Sequence, residues 1–156
     1  MILLRHGQSE FNLHFSATRR DPGIKDPKLT ILGRHQAEQA AEALAGEDIR
    51  RIIASPYTRA LETAAPLARR LGLPVLVHPL VRERYAFTCD IGSPCAALAM
   101  QWPELDFSHI DEVWWPATEE PAGRWRTAPA CSAPRWARWR TGRTPSSSAI
   151  GGSSCR

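Results

Sequence analysis

"RRIIASPYTRALETAAPLARRLGLPVLVHP", residues 50–79, sets two apolar runs on either side of a helical pattern. Ile52 to Ala54 is too short for a helix and is bounded by two arginines and Ser55-Pro56, so it reads as a buried strand. Ser55 followed by Pro56 predicts a helix start: a capping residue with proline at the first helical position. Ala60, Ala64, Leu67, Ala68 and Leu71 then recur at helical spacing as the core face, and Gly72 ends the helix. "LPVLVHP" is the next strand. Strand, helix and strand in succession form a βαβ unit, whose strands lie parallel.

The same reading extends toward the N-terminus. "MILLRH", residues 1–6, is an apolar run cut off by charge and Gly7, which predicts a buried parallel strand with a loop at its C-terminal end. Thr30 is a plausible N-cap, and Ala37, Ala40, Ala41 and Leu44 keep helical spacing until Gly46. An α/β domain follows, a three-layer sandwich with a mainly parallel sheet. Such sheets bind ligands beyond the carboxyl ends of their strands. Arg5 and His6 end the first strand, Arg59 lies early in the next helix, and Glu83, in "LVRERY", follows the third strand. Arginine grips phosphate with a planar fork of donors. An imidazole beside it can attack phosphorus, and a carboxyl can protonate the leaving oxygen. Singly, these residues would read as a loop, a solvated helix face and a surface ion pair. Their convergence on one rim is the functional signal.

Three stretches add a resemblance. "LRHGQSEFN" at 4–12, "LTILGRHQA" at 29–37 and "IIASPYTRALETA" at 52–64 resemble, in order, three motifs of the histidine phosphatase superfamily, the phosphoglycerate-mutase-like enzymes. The resemblance implies that fold and a phosphomonoesterase acting through a phosphohistidine. It implies His6 as nucleophile, Arg5, Asn12 and Arg59 as phosphate ligands, Ser9 as a pocket hydroxyl, and Glu83 as proton donor, the loosest transfer. It implies no metal and no cofactor. The substrate would be a phosphorylated small molecule or a phosphoprotein. A phosphoglycerate mutase is the enzymatic alternative, disfavoured because such mutases carry extra segments. A catalytically dead phosphate-binding domain is another.

Other phosphate chemistries lack their signatures. There is no G-x-x-x-x-G-K-[ST] loop and no G-x-G-x-x-G. Neither Cys89 nor Cys131 has an arginine six positions on, as a cysteine phosphatase needs. "DIGSP" and "DFSHIDE" offer carboxylates without a histidine pair at ligand spacing. No run of 18 apolar residues suggests a membrane span, and the opening run is too short for a signal peptide. Four cysteines without CxxC spacing read as reduced thiols of a cytoplasmic protein.

The net charge of +4 hides a division. Residues 121–156 hold seven of the 20 Lys+Arg, none of the 16 Asp+Glu, and Ile150 as their one branched aliphatic. No core can be built from that, so the expected domain is 1–120, followed by an Arg/Ser/Pro/Trp-rich, disordered, non-native tail. The family resemblance also calls for a second histidine after a late aliphatic strand, and residues 110–156 contain none. The remaining histidines are His14, His35, His78 and His109; His109, in "FSHIDE", follows no aliphatic strand and reads as a surface or loop residue. With serine codons of the TCN class, "SSSAIGGSS" at 146–154 read one base earlier permits "VVVSHWGFI", the missing strand with its histidine. A frameshift near residues 121–124 is therefore expected, leaving the late strand and helix missing and the chain a poor, poorly stable enzyme. Interleaved Arg and Trp (Trp125, Trp136, Trp139) suit single-strand stacking. That reading ranks lower because it leaves an incomplete phosphatase domain unexplained, so neither a nucleic-acid nor a membrane partner is expected.

Overall fold

A computed structural model describes residues 1–118; the boundary at Glu120 and the whole tail lie outside the described residues. The elements are α1 (Glu10–Thr18), α2 (Ile31–Leu44), β1 (Ile52–Ala54), α3 (Thr58–Leu71), β2 (Val75–Val77) and α4 (Cys95–Gln101). Short 3₁₀ turns cover Pro79–Val81 and Thr88–Asp90. No helix among the described residues is long and apolar enough to cross a membrane.

The β1-α3-β2 unit forms as its periodicity predicts. β1 and β2 pair parallel, with Ile52 opposite Val75 and Ala54 opposite Val77. These four side chains are buried in a core shared with Leu61 and Leu67 of α3. The alternation of the strands turns Ile53 and Leu76 to the other face, where they are exposed. Gly72, at φ +64°, ends α3 in the left-handed conformation glycine tolerates best. The core stripe differs in detail: Ala60, Ala64, Ala68 and Leu71 are only partly buried, while Leu61 sits at its centre. α3 packs against α2 as well as against β1 and β2, so more than one stripe of it is buried.

Two expectations are corrected. Met1 to Leu4 form no strand and are exposed, Leu3 at 85%. A strand holds only where a neighbour satisfies its backbone and a layer covers its side chains, and no described strand pairs with these residues. The second concerns the start of α3, which begins at Thr58 rather than Pro56, with Tyr57 as an N-cap that makes no side-chain cap. The cap comes from elsewhere in the chain. Asp26 accepts from the Thr58 amide at 2.9 Å and from the Thr58 hydroxyl at 2.7 Å, and also from Ser93 Oγ at 2.6 Å. Asp26 sits at φ +38°, a conformation Asp and Asn tolerate better than most residues. Asp26→Ala is therefore expected to cost about 1–2 kcal/mol through the lost cap, and Asp26→Asn less. Urea unfolding midpoints of the two variants would check this; equal midpoints for alanine and wild type would refute it.

α2 starts as predicted, with Thr30 Oγ1 accepting from the Gly33 amide at 3.0 Å. The surprise is what its first turn holds. The Thr30 amide donates to the Gln8 carbonyl at 2.9 Å, and the Gln8 amide donates to Gln36 Oε1 at 2.8 Å. A Cβ on Gly33 would stand 2.0 Å from the Gln8 carbonyl oxygen, so only glycine permits this approach. From the other side, the Gly7 amide donates to Thr63 Oγ1 of α3 at 3.1 Å. The loop after His6 is thus clamped between two helices, although the strand before it is not formed.

Candidate active site

That clamp fixes His6. Its Nδ1 lies 2.7 Å from the Gly7 carbonyl. A carbonyl can only accept, so Nδ1 carries the proton and Nε2 keeps the lone pair. Nε2 faces Glu83 Oε1 at 3.8 Å, and Glu83 Oε2 lies 3.6 Å from Arg59 Nη2. The His6 and Arg59 side chains are largely buried, whereas Glu83 is half exposed. Nucleophile candidate, cation and carboxyl, 77 residues apart at the extremes, thus meet within 4 Å.

Arg59 is held from three sides. Nη1 donates to the Cys89 carbonyl at 2.7 Å, Nη2 donates to Asp90 Oδ1 at 3.0 Å, and the guanidinium lies 4.2 Å from the Tyr57 ring centroid. The Tyr57 hydroxyl in turn donates to the Asp90 carbonyl at 2.7 Å. Asp90, the first residue of "DIGSP", has a structural task that the sequence reading did not assign. Its other oxygen accepts from the Ala86 and Phe87 amides at 2.9 and 3.2 Å.

The remaining candidates gather around one cavity of about 330 Å³, which His6, Arg59, Glu83, Arg5, Ser9 and Asn12 all line. Arg5 reaches it from the exposed segment before the loop. Ser9 lines it too, but its hydroxyl is engaged: it caps α1, donating to Asn12 Oδ1 at 2.9 Å and accepting from the Asn12 amide at 3.2 Å. Asn12 Oδ1 also accepts from the Ser9 amide at 3.1 Å, which leaves its amide nitrogen as the side the cap does not use. α1 is a helix the sequence reading did not predict. Its signal was the Ser9–Asn12 capping spacing, read only as part of a motif. The first amide of α3 is likewise taken, by Asp26, so that helix end is not an open anion site. His109 is half exposed, its Nε2 2.8 Å from the Val77 carbonyl. Among the described residues no three His, Cys, Asp or Glu side chains gather as metal ligands.

Burial is the largest influence on the His6 imidazole and holds its pKa below the ordinary 6.5; the charges of Arg59 and Arg5 add to the lowering, against the pull of the Gly7 carbonyl and Glu83. An NMR titration of the His6 ring should accordingly have its midpoint below 6.5. The unfolded chain then binds the proton more readily, so this residue's contribution to stability is complete above the ordinary value and is lost as pH falls through the window beneath it. A midpoint above 6.5 would contradict the burial argument.

The arrangement can bind a tetrahedral anion, present an unprotonated imidazole nitrogen to it, and exchange a proton with it through a carboxyl. Comparison with known proteins agrees with that chemistry. The family model of the histidine phosphatase superfamily (branch 1) matches residues 1–127. The chain is 42% identical over 85 residues to a glucosyl-3-phosphoglycerate phosphatase of Mycolicibacterium vanbaalenii, covering 54% of this chain and 36% of that one. It is 35% identical over 124 residues to the protein of the same name from Mycobacterium tuberculosis, covering 74% and 50%. A probable phosphoglycerate mutase GpmB of Photorhabdus laumondii is 40% identical over 83 residues, covering 53% and 37%. The chain thus spans between about a third and a half of the length of these relatives. The crystal structure of an ecdysone phosphate phosphatase from Bombix mori shares the fold, at a TM-score of 0.52 and 21% identity over 78% of this chain and 60% of that one.

Proposed function

The chain belongs to the histidine phosphatase superfamily, and from that premise we propose that it is a phosphomonoester hydrolase working through a phosphohistidine on His6. In this reading Arg5, Arg59 and the Asn12 amide hold the non-bridging oxygens of the phosphoryl group. Nε2 of His6 attacks phosphorus while the ester oxygen leaves, taking a proton from Glu83. Glu83 then accepts a proton from a water that attacks the phosphohistidine, releasing phosphate and restoring the imidazole. The observation that carries the reading is the position of His6 Nε2, 3.8 Å from one Glu83 carboxyl oxygen, with the other oxygen 3.6 Å from Arg59. The names of the relatives put small phosphorylated metabolites first among substrates.

The second histidine expected of the family has no counterpart in residues 110–156. Binding without turnover is the second reading, carried by Arg5, Asn12 and Arg59 at the cavity. Incubation with p-nitrophenyl phosphate distinguishes them. Release of p-nitrophenol, with alkali-stable phosphate recovered on the peptide containing His6, supports the hydrolase. Vanadate binding with neither product nor trapped phosphate supports the binding domain. Phosphoryl transfer to a phosphoglycerate with negligible hydrolysis would instead place the chain with the mutases.

A further inference from the structure

Part of the cavity wall is aromatic. Phe11 and Phe15, one turn apart on α1, stack with centroids 5.3 Å apart, and Phe87 closes the group at 5.7 Å from Phe11 and 5.1 Å from Phe15. All three rings line the cavity that holds His6 and Arg59. Phe11 is buried, whereas Phe15 is partly exposed and Phe87 is exposed, so the wall has an open edge rather than lying wholly inside a core.

The wall is also fixed in place. Asp90 Oδ2 accepts from the amides of Ala86 and Phe87, and Asp21 accepts from the amide of Thr88 at 2.9 Å and from its hydroxyl. Asp21 follows α1, so the two hydrogen bonds tie the Phe87 loop to the segment carrying the other two rings. The same Asp90 carboxylate holds Arg59 through its other oxygen. The ring wall and the phosphate cation therefore share one anchor.

Two polar side chains of the lining, Ser9 and Asp90, already have protein partners. Ser9 caps α1, and both Asp90 oxygens accept hydrogen bonds. A flat apolar group against these three rings would meet aromatic faces and edges.

We propose that this wall is the leaving-group subsite and that the chain selects small phosphomonoesters whose alcohol carries an aromatic ring close to the ester oxygen. The proposal rests on the phosphate-binding reading of His6, Arg5 and Arg59, and names the substrate class of that site. Phosphonates, which are not hydrolysed, test it independently of turnover. Calorimetric titration of the full chain with benzylphosphonate and with methylphosphonate, at a pH where both are dianions, compares an aromatic with a minimal ligand on the same anion. Benzylphosphonate should bind about tenfold more tightly. Phe87→Leu and Phe15→Ala should each shrink the ratio of the two dissociation constants; Phe87, being exposed, can be replaced with little risk to the fold. Equal affinities, or a preference that both variants leave intact, would overturn the subsite while the phosphate site stands. Binding of neither phosphonate would overturn the phosphate site and the subsite together.

Discussion

Arg59→Ala is expected to lower folding stability by about 3–5 kcal/mol, the cost typical of removing one partner from a buried ion pair. The reason lies in what it leaves behind. Arg59 is 3% exposed, and Asp90, its partner at 3.0 Å, is 5% exposed. Without the guanidinium, the Asp90 carboxylate keeps two backbone amides and loses its counter-charge, the Cys89 carbonyl loses its donor, and the Tyr57 ring loses the cation on its face. Domains are stable by only about 5–15 kcal/mol in all, so the variant should be partly unfolded at ambient temperature. Lysine should not rescue it, because one ammonium cannot reproduce a fork that donates at once to a carbonyl and a carboxylate. Urea denaturation of Arg59→Ala, Asp90→Asn and the double variant measures the coupling. Additive costs would mean that the pair does not act as a unit.

His6→Ala should show the opposite profile: turnover collapses while the fold persists. Removing a covalent nucleophile costs on the order of 10⁶ in turnover where one has been removed cleanly, the remaining groups still exceeding the rate in water, so p-nitrophenyl phosphate hydrolysis should fall to a trace. The structural loss is one side-chain hydrogen bond to the adjacent Gly7 carbonyl and a partly buried imidazole. The loop itself remains clamped by Thr30, Gln36 and Thr63 through its backbone. The unfolding midpoint should accordingly move by less than in Arg59→Ala. A variant that keeps about a tenth of wild-type turnover would remove His6 from the covalent step. The contrast separates the two residues: one is expected to hold the site together and bind, the other to react.

The legible parts of this chain were those whose cause is local. Strand, helix and strand over 50–79 follow from side-chain periodicity, because period 2 and period 3.6 place neighbours on a common face within a few residues. Thr30 declared itself as a cap because the amide it satisfies lies three residues on. Arg59 and Glu83 could be placed on one rim because each follows a strand of one parallel pair, whereas Arg5 and His6 reach that rim on a loop clamped by α2 and α3 and not on the strand expected before them.

What the tertiary structure decided has no local signature. Asp26 caps a helix 32 residues away, and Asp90 pairs with Arg59 across 31. A carboxylate reads the same in sequence whether it faces water or a buried guanidinium, because its partner is chosen by the fold. Ser9 lines the cavity as expected, but that its hydroxyl also caps α1 through Asn12 follows only from the position of the helix. The gathering of Phe11 and Phe15 with Phe87 depends on a loop pinned by Asp21 and Asp90. Met1 to Leu4 mark the clearest difference. Their composition is that of a strand, and composition alone favours strand wherever a partner is supplied. A strand is completed by hydrogen bonds to another segment, and only the fold decides whether that segment lies alongside.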